Sequence, residues 1–275
     1  MAYEQISYRV EDRIATLTLQ RPDARNGYTV RMADELAAAL VVAGEDDDVR
    51  VVVLTGAGTD FCVGADLSGG GLDVSSLDGD DGAWVEPATR VTRPMFNLAK
   101  PVIAAVRGAA VGVGSTMLLP ADYRLASTDS RFGFVFSRRG LYPEGGSTWF
   151  LPRLVGMGRA MDWMVSGRLI DADEALAAGL VHSLHAPDDV LDHAYALAGE
   201  LIAKTAPVST AVIRQALYRM SALDSPEPAF VLDSQLIASC ASNADTVEGV
   251  VAFLQRRAPE FTLTVSKDLP DFLPW

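Results

Sequence analysis

The chain has 275 residues, of which 49% are hydrophobic and 21% are charged, and its formal net charge is −13 at pH 7. This length and composition predict a soluble globular protein with one large domain, or one domain and an appendage. The acidic balance argues against a nucleic-acid partner, because binding to phosphates needs a basic face.

The first half of the chain alternates predicted strands with predicted helices. Residues 14–19 are β-rich and end at the turn-forming residues 21–23. Thr29 can cap a helix. The apolar residues of this helix fall on one face, namely Met32, Leu36, Ala39 and Leu40. Residues 49–54 and 102–106 are continuous apolar runs, typical of buried strands, and this order predicts an α/β architecture with parallel pairing.

The middle and the end of the chain differ from this pattern. Residues 68–81 are rich in Gly, Ser and Asp, and they fit either a surface linker or a mobile flap over a bound substrate. Residues 84–99 are expected to return as a helix that shapes the substrate pocket. After Gly140 the pattern is largely helical, with helices predicted over residues 191–201, 207–222, 226–239 and 243–256.

Cysteine content and hydropathy indicate the compartment. Cys62 and Cys240 are the only cysteines, so no disulfide framework is implied and a reducing compartment fits best. No apolar run approaches the roughly 20 residues of a membrane span. The first residues, MAYEQ, lack the basic and apolar regions of a secretory signal. We therefore expect a cytoplasmic protein with no membrane partner.

Two glycine-rich stretches are the most informative part of the sequence, residues 51–67 (VVVLTGAGTDFCVGADL) and residues 106–116 (VRGAAVGVGST). In each, an apolar β-branched run leads into a loop of small residues and then a predicted helix start. Small side chains let a ligand contact backbone N–H groups directly. Two such turns that face one point could bind one oxygen that becomes negative during a reaction. Neither stretch has the third glycine of a dinucleotide fingerprint, so NAD is not expected.

Residues 55–67 (TGAGTDFCVGADL) closely resemble the T-G-x-G-x-x-F-(C/S)-x-G-x-D-(L/I) signature of the crotonase (enoyl-CoA hydratase/isomerase) superfamily. The resemblance continues nearly end to end through further segments in order, at residues 19–26, 108–114, 143–149, 167–175, 179–181 and 248–257. It implies a crotonase-like right-handed spiral core of ββα turns, here residues 1–204, which holds the acyl-CoA site. It also implies a C-terminal helical region, residues 205–275, that drives assembly into homotrimers or dimers of trimers.

The resemblance also implies the site. Ala65 and Val113 occupy the positions whose backbone N–H groups form the family's oxyanion hole, which stabilises the negative charge on a thioester oxygen. Most relatives have glycine where Val113 stands, and the valine side chain could crowd the pocket. The residues expected to contact substrate are Arg25, Gly64, Asp66, Leu67, Thr116, Phe136, Gly140 and Trp149. Arg25 is the main candidate for the phosphates of coenzyme A, and Asp66 is expected to brace its own loop.

The acid/base groups depart from the hydratase pattern. Hydratases of the family carry two glutamates, and the corresponding positions are Thr116 and Phe136. A mechanism with two glutamates is therefore in doubt. Glu144 remains, in the segment 142–149 (YPEGGSTW), where certain Δ3,Δ2-enoyl-CoA isomerases and aryl-CoA dehalogenases of the family place a single catalytic acid. For catalysis its carboxyl should be partly buried with a raised pKa, whereas its other possible role is to cap the following helix.

The sequence thus predicts an acyl-CoA enzyme that needs neither metal nor redox cofactor, coenzyme A being part of the substrate. His182 and His185 match neither a metal cluster nor a catalytic triad. Δ3,Δ2-enoyl-CoA isomerisation by a single glutamate is favoured, with 2-enoyl-CoA hydration close behind. The alternatives are a non-catalytic acyl-CoA-binding homologue and a C–C hydrolase or aryl-CoA enzyme on the same fold.

Overall fold

In a computed structural model of the protein, residues 3–68, 84–241 and 243–275 are described. The main sheet of this part of the chain has six strands, in the order β1-β2-β3-β4-β6-β9. Their bounds are β1 (Ile6–Glu11), β2 (Ile14–Leu19), β3 (Val51–Gly56), β4 (Val102–Val106), β6 (Tyr123–Ser127) and β9 (Ser183–His185). β1 pairs antiparallel with β2, and every other pairing in this sheet is parallel. The predicted parallel α/β architecture is confirmed.

A smaller sheet lies beside the glycine-rich segment that follows β4. It consists of β5 (Ala109–Val111), β7 (Arg131–Gly133) and β8 (Leu169–Asp171), with β7 in the centre. The sequence analysis did not predict this sheet, because strands of three residues are too short to show a periodic pattern.

The helices of the described residues are α1 (Val30–Glu45), α2 (Pro87–Asn97), α3 (Val113–Thr116), α4 (Ser147–Val155), α5 (Met157–Ser166), α6 (Ala172–Ala177), α7 (Val190–Lys204), α8 (Pro207–Met220), α9 (Glu227–Cys240), α10 (Ala244–Gln255) and α11 (Val265–Asp268). Thr29 caps α1 as predicted, since its hydroxyl accepts a hydrogen bond from the N–H of Met32 at 3.0 Å. The helices predicted at residues 84–99 and after residue 190 are observed with bounds that differ by a few residues. Of the possible flap at residues 68–81, only Ser68 lies within the described residues.

The first four residues of the central strand β3, Val51 to Leu54, are apolar because both faces of the strand are buried. Val52 and Leu54 belong to a core cluster shared with α1, α2 and the loops that follow the strands. Val51 and Val53 point to the opposite face, where Ala194 and Ala198 of α7 cover them. The main sheet is therefore packed on both faces, by α1 and α2 on one side and by α7 on the other.

The C-terminal helices begin with α8, which is joined to the core by polar side chains. Arg214 and Gln215 of α8 are both buried, and both donate hydrogen bonds to the carbonyls of Phe96 and Leu98 at the end of α2. The boundary predicted at residue 204 falls between α7 and α8 and stays a prediction. No single helix among the described residues is long and apolar enough to cross a membrane, although the bent pair α7–α8 passes such a test on length and composition alone.

Candidate active site

The two glycine-rich loops lie against each other at one end of the main sheet. The loop after β3 is fixed on one side by Tyr28, which donates to the carbonyl of Gly64 and accepts from the N–H of Asp66, both at 2.8 Å. On its other side Cys62 exchanges two hydrogen bonds of 2.9 Å with the second loop, through Ala109 and Val111. The second loop is in turn held by the N–H of Gly112, which donates to a carbonyl of the smaller sheet.

Glycines make this close approach possible. A Cβ on Gly114 would lie 2.2 Å from the carbonyl oxygen of Cys62, so no larger residue fits there. Gly64 and Gly112 have φ angles of +108° and +58°, which disfavour residues with a side chain. A Cβ on Gly112 would lie 3.6 Å from the Cα of Gly64, so the two loops touch at these residues.

Ala65 and Val113 directly follow the two touching glycines. Within the described residues, the N–H groups of Ala65 and Val113 have no hydrogen-bond acceptor. The bridge to Tyr28 uses Gly64 and Asp66 instead of Ala65, and Val113 is the first residue of α3. Two backbone donors on touching loops are thus left without a partner among the described residues. Val113 is 3% exposed as a residue, and it belongs to the core cluster.

The polar residues of the first loop are paired among themselves. Asp66 accepts hydrogen bonds from the N–H of Ser68 at 3.0 Å and from the Arg21 guanidinium at 2.8 Å. The contacts with Ser68, and then those with Arg21, lower the pKa of Asp66 to about 2. Asp66 therefore braces its own loop, as expected. Arg25 pairs with Asp60 at 2.7 Å and keeps 61% of its side chain exposed, and Leu67 is also exposed.

Glu144 lies in a tight turn that precedes α4. The next two residues, Gly145 and Gly146, both have positive φ angles, +58° and +72°. The start of α4 is satisfied by the main-chain carbonyl of Glu144, which accepts from the N–H and the hydroxyl of Ser147 at 2.9 and 2.7 Å. No side chain caps this helix. The alternative in which the Glu144 carboxyl caps α4 is therefore wrong.

The turn packs directly on the second glycine-rich loop. A Cβ on Gly145 would lie 2.6 Å from Cγ2 of Thr116, the last residue of α3. Thr116 is fully buried, and its hydroxyl donates to the carbonyl of Gly112 at 3.3 Å. The structure thus brings Glu144 next to the four-residue helix α3 that begins at Val113.

The surroundings of Glu144 favour its neutral form. Burial raises the pKa of this half-buried carboxyl to about 7, and the charge of Glu86 adds to the shift. Glu144 in turn acts electrostatically on Tyr28 and Cys62, both in the first loop region. Burial raises the pKa of Cys62 to about 12 and that of Tyr28 well above its usual value, so both stay protonated near neutral pH.

Glu86 and Tyr28 are site residues that the sequence analysis missed. Glu86 stands directly before Pro87, the first residue of α2, and an acidic residue followed by proline is a helix-start signal that could have located it. The hydroxyl of Tyr28 donates to the carbonyl of Pro87 at 2.9 Å. The start of α2, the first loop and the Glu144 turn therefore meet at one place.

No hydrogen bond within the described residues joins the remaining predicted contact residues, Phe136, Gly140 and Trp149, to Ala65 or Val113. Phe136 is buried and begins a short 3-10 turn that ends at Gly140, whose φ is +65°. Trp149 packs edge-on against Phe96 at 5.9 Å between ring centroids, and the Arg153 guanidinium lies 3.9 Å from its ring centroid. Trp149 lines a cavity of about 990 Å³ between α2, α4, α8, α9 and the C-terminal residues. Gly145 and Gly146 also line this cavity, whereas Ala65 and Val113 do not.

The histidines serve structural roles. Nδ1 of His182 accepts a hydrogen bond from the N–H of Arg124 at 3.1 Å, and the ring of His185 stacks on that of His193 at 3.8 Å. In residues 3–68, 84–241 and 243–275, no three His, Cys, Asp or Glu side chains are grouped so as to hold a metal ion.

Comparison with known proteins shows the family to which the chain belongs. The family description "Enoyl-CoA hydratase/isomerase" matches residues 9–264. A "probable enoyl-CoA hydratase" of Rhodobacter capsulatus is 36% identical over 95% of this chain and 99% of its own length. The "1,2-epoxyphenylacetyl-CoA isomerase" of Escherichia coli is 35% identical over 94% of this chain and 98% of its own.

Solved structures agree with the sequence comparisons. The crystal structure of a "probable enoyl-CoA hydratase/isomerase" from Mycobacterium abscessus superimposes with a TM-score of 0.85 at 32% identity, over 94% of this chain and 98% of the other. The chain therefore belongs to the enoyl-CoA hydratase/isomerase family and is an enzyme of that family.

Proposed function

We propose that the protein acts on an acyl-CoA thioester and stabilises its enolate, with the N–H groups of Ala65 and Val113 as the oxyanion hole and Glu144 as the acid/base. One observation carries this proposal. Two backbone donors without acceptors lie on touching loops, and the turn with a carboxyl of pKa about 7 packs against the helix that begins at one of them. A carboxyl with such a pKa can both take and return a proton near neutral pH.

The reaction that one carboxyl performs most directly is Δ3,Δ2-enoyl-CoA isomerisation. The Glu144 carboxylate removes a proton from C2, and the electron pair moves onto the thioester oxygen to give a dienolate. The N–H groups of Ala65 and Val113 stabilise this oxygen, which is worth about 3–4 kcal/mol of barrier per donor. The protonated Glu144 then delivers the proton to C4, and the double bond moves from C3 to C2. No water is consumed, and no metal or redox cofactor is needed.

Hydration of 2-enoyl-CoA is the second candidate, favoured by the names of several relatives. The R. capsulatus protein is named a hydratase, and so is a short-chain-enoyl-CoA hydratase of Clostridium acetobutylicum that is 32% identical to this chain. Buried Thr116 and buried Phe136 occupy the positions of the two hydratase glutamates. Hydration would therefore have to use Glu144 alone to activate water and to protonate C2.

Coenzyme A and the assembly complete the proposal. The exposed guanidinium of Arg25, at the edge of the first loop, suits the phosphates of coenzyme A. We further propose a cytoplasmic homotrimer or dimer of trimers. Large apolar side chains on α9 and α10 are exposed in the single chain and would be covered by association, including Phe230, Ile237, Phe253 and Leu254.

Turnover on two substrates distinguishes these functions. A gain of conjugated thioester absorbance with trans-3-enoyl-CoA would establish isomerisation, and a loss with trans-2-enoyl-CoA would establish hydration. Binding of both thioesters without any turnover would contradict the proposal and favour a non-catalytic acyl-CoA-binding protein.

Activity should depend on pH through Glu144. Because the carboxyl must be ionised to remove the C2 proton and its pKa is about 7, kcat/KM should rise with pH and level off above about pH 7. Below that pH we expect a slope of about tenfold per unit. Initial rates between pH 5 and pH 9 test this, with circular dichroism at each pH to show that the protein stays folded. An acid limb centred near the usual pKa of a glutamate would contradict it.

A further inference from the structure

We propose that Glu86 is a positioning residue for Glu144, which holds the turn that presents this carboxyl and places a fixed negative charge beside it. The inference rests on the proposed function of Glu144 and adds a second residue to the site. Nothing in the family comparison assigns a role to Glu86.

The hydrogen bonds of Glu86 join two segments that are distant in sequence. Its Oε2 accepts from the N–H of Ala88 at 2.6 Å, and its Oε1 accepts from the N–H of Thr89 at 2.9 Å, so the side chain caps α2. The hydroxyl of Thr89 also donates to Oε1. The same Oε1 accepts from the N–H of Gly145 at 2.7 Å. One carboxylate thus ties the start of α2 to the residue directly after Glu144.

The hydrogen bond from Gly145 to Glu86 fixes the backbone next to Glu144. The N–H of Gly145 and the carbonyl of Glu144 belong to the same planar peptide group. Glu86 holds this group from one side, and Ser147 donates to its carbonyl from the other. Thr116 and Ala88 flank Gly145 so closely that the turn has little room to shift. The Cα of Glu144 is therefore fixed by contacts that its own side chain does not make.

Glu86 itself does not transfer protons. In its contacts with Ala88, Thr89 and Gly145 it accepts hydrogen bonds from backbone N–H groups, and these contacts give it a structural role. It forms no ion pair with a lysine or arginine of the part of the chain described, so its charge is not neutralised by a contact. The charge of Glu144 also acts on Tyr28 and Cys62, whose raised pKa values keep both groups protonated near neutral pH. Burial is the main cause that opposes ionisation of Glu144 and raises its pKa, and the charge of Glu86 adds to this effect.

The test compares Glu86→Gln with Glu86→Ala. Glutamine keeps an acceptor oxygen for Gly145 and removes the charge. We expect near wild-type KM for Glu86→Gln and an acid limb of kcat/KM that moves to lower pH by about half a unit or more. Alanine removes the connection to Gly145 as well, and kcat should fall by about 10–100-fold because the turn is no longer held.

A matched control separates positioning from helix capping. Asp171 caps α6 by accepting from the N–H of Glu174 at 2.8 Å, on a helix that packs against β7, β8 and β9. Asp171→Asn removes a capping charge in the same way as Glu86→Gln. Its pH profile should coincide with that of the wild type. A profile for Glu86→Gln that also coincides with the wild type would overturn the proposal.

The same question can be answered without turnover. Carboxyl 13C NMR of protein labelled at glutamate gives the pKa of Glu144 directly, and Glu144→Gln assigns its resonance. A lower pKa of Glu144 in Glu86→Gln supports the proposal, and an unchanged pKa overturns it. If the wild type converts neither enoyl-CoA, the proposed function fails, while the NMR titration still decides the role of Glu86.

Discussion

Glu144→Gln should lower kcat by about 10²–10⁴-fold and leave the affinity for acyl-CoA nearly unchanged. Glutamine has almost the same shape but cannot take the C2 proton, whereas the two N–H donors and the loops that hold them stay in place. Initial rates with trans-3-enoyl-CoA give the loss of turnover. Calorimetric titration with a saturated acyl-CoA, which cannot react, gives the affinity.

A surface variant provides the control for this experiment. Glu227 is an exposed residue in the first turn of α9, 83 positions after Glu144 in the sequence. Glu227→Gln makes the same chemical change as Glu144→Gln. It should keep wild-type kcat. If Glu144→Gln retained more than about a tenth of the wild-type kcat, Glu144 would not be the acid/base of the reaction.

Arg214→Met should lower the free energy of unfolding by about 3–5 kcal/mol. Arg214 is buried, with 6% of the residue exposed, and its guanidinium donates to the Asp122 carboxylate at 2.7 Å. It also donates to four backbone carbonyls, those of Met95, Phe96, Leu98 and Pro120. Methionine removes these five hydrogen bonds and the cation that pairs with the half-buried Asp122 carboxylate, and such losses are among the largest that a single substitution causes.

Urea unfolding at a fixed protein concentration measures this effect, because assembly would otherwise change the apparent stability. Lys204→Met is the matched control. Lys204 pairs with Glu200 on the surface of α7, with 69% of its side chain exposed, and its removal should change the stability by about 0.5 kcal/mol or less. A loss below about 1 kcal/mol for Arg214→Met would show that these buried bonds do not hold α8 to the core.

Much of the fold could be predicted because its signals are local. β3 is a continuous apolar run, since α1 and α2 cover one of its faces and α7 covers the other. The two glycine-rich loops could be predicted for a similar reason. Gly64, Gly112 and Gly114 occur where two backbones touch, and a residue with a side chain would not fit or would be strained.

The acid/base environment was only partly predictable. The sequence indicated only that catalysis requires a raised pKa of Glu144, and the residues around this carboxyl come from distant segments of the chain. Tyr28 and Cys62 belong to the first loop region, and Glu86 begins a helix 58 positions before Glu144 in the numbering of the chain. Contacts between such distant segments depend on the tertiary structure, and no periodic pattern encodes them.

The helix α2 is held at both ends by charged or polar side chains. Glu86 fixes its first turn to the Glu144 turn, and Arg214 and Gln215 of α8 bind the carbonyls of its last turn. This 11-residue helix therefore connects the Glu144 turn at one end with α8 at the other. A displacement of α8 is therefore transmitted along α2 to the turn that holds Glu144.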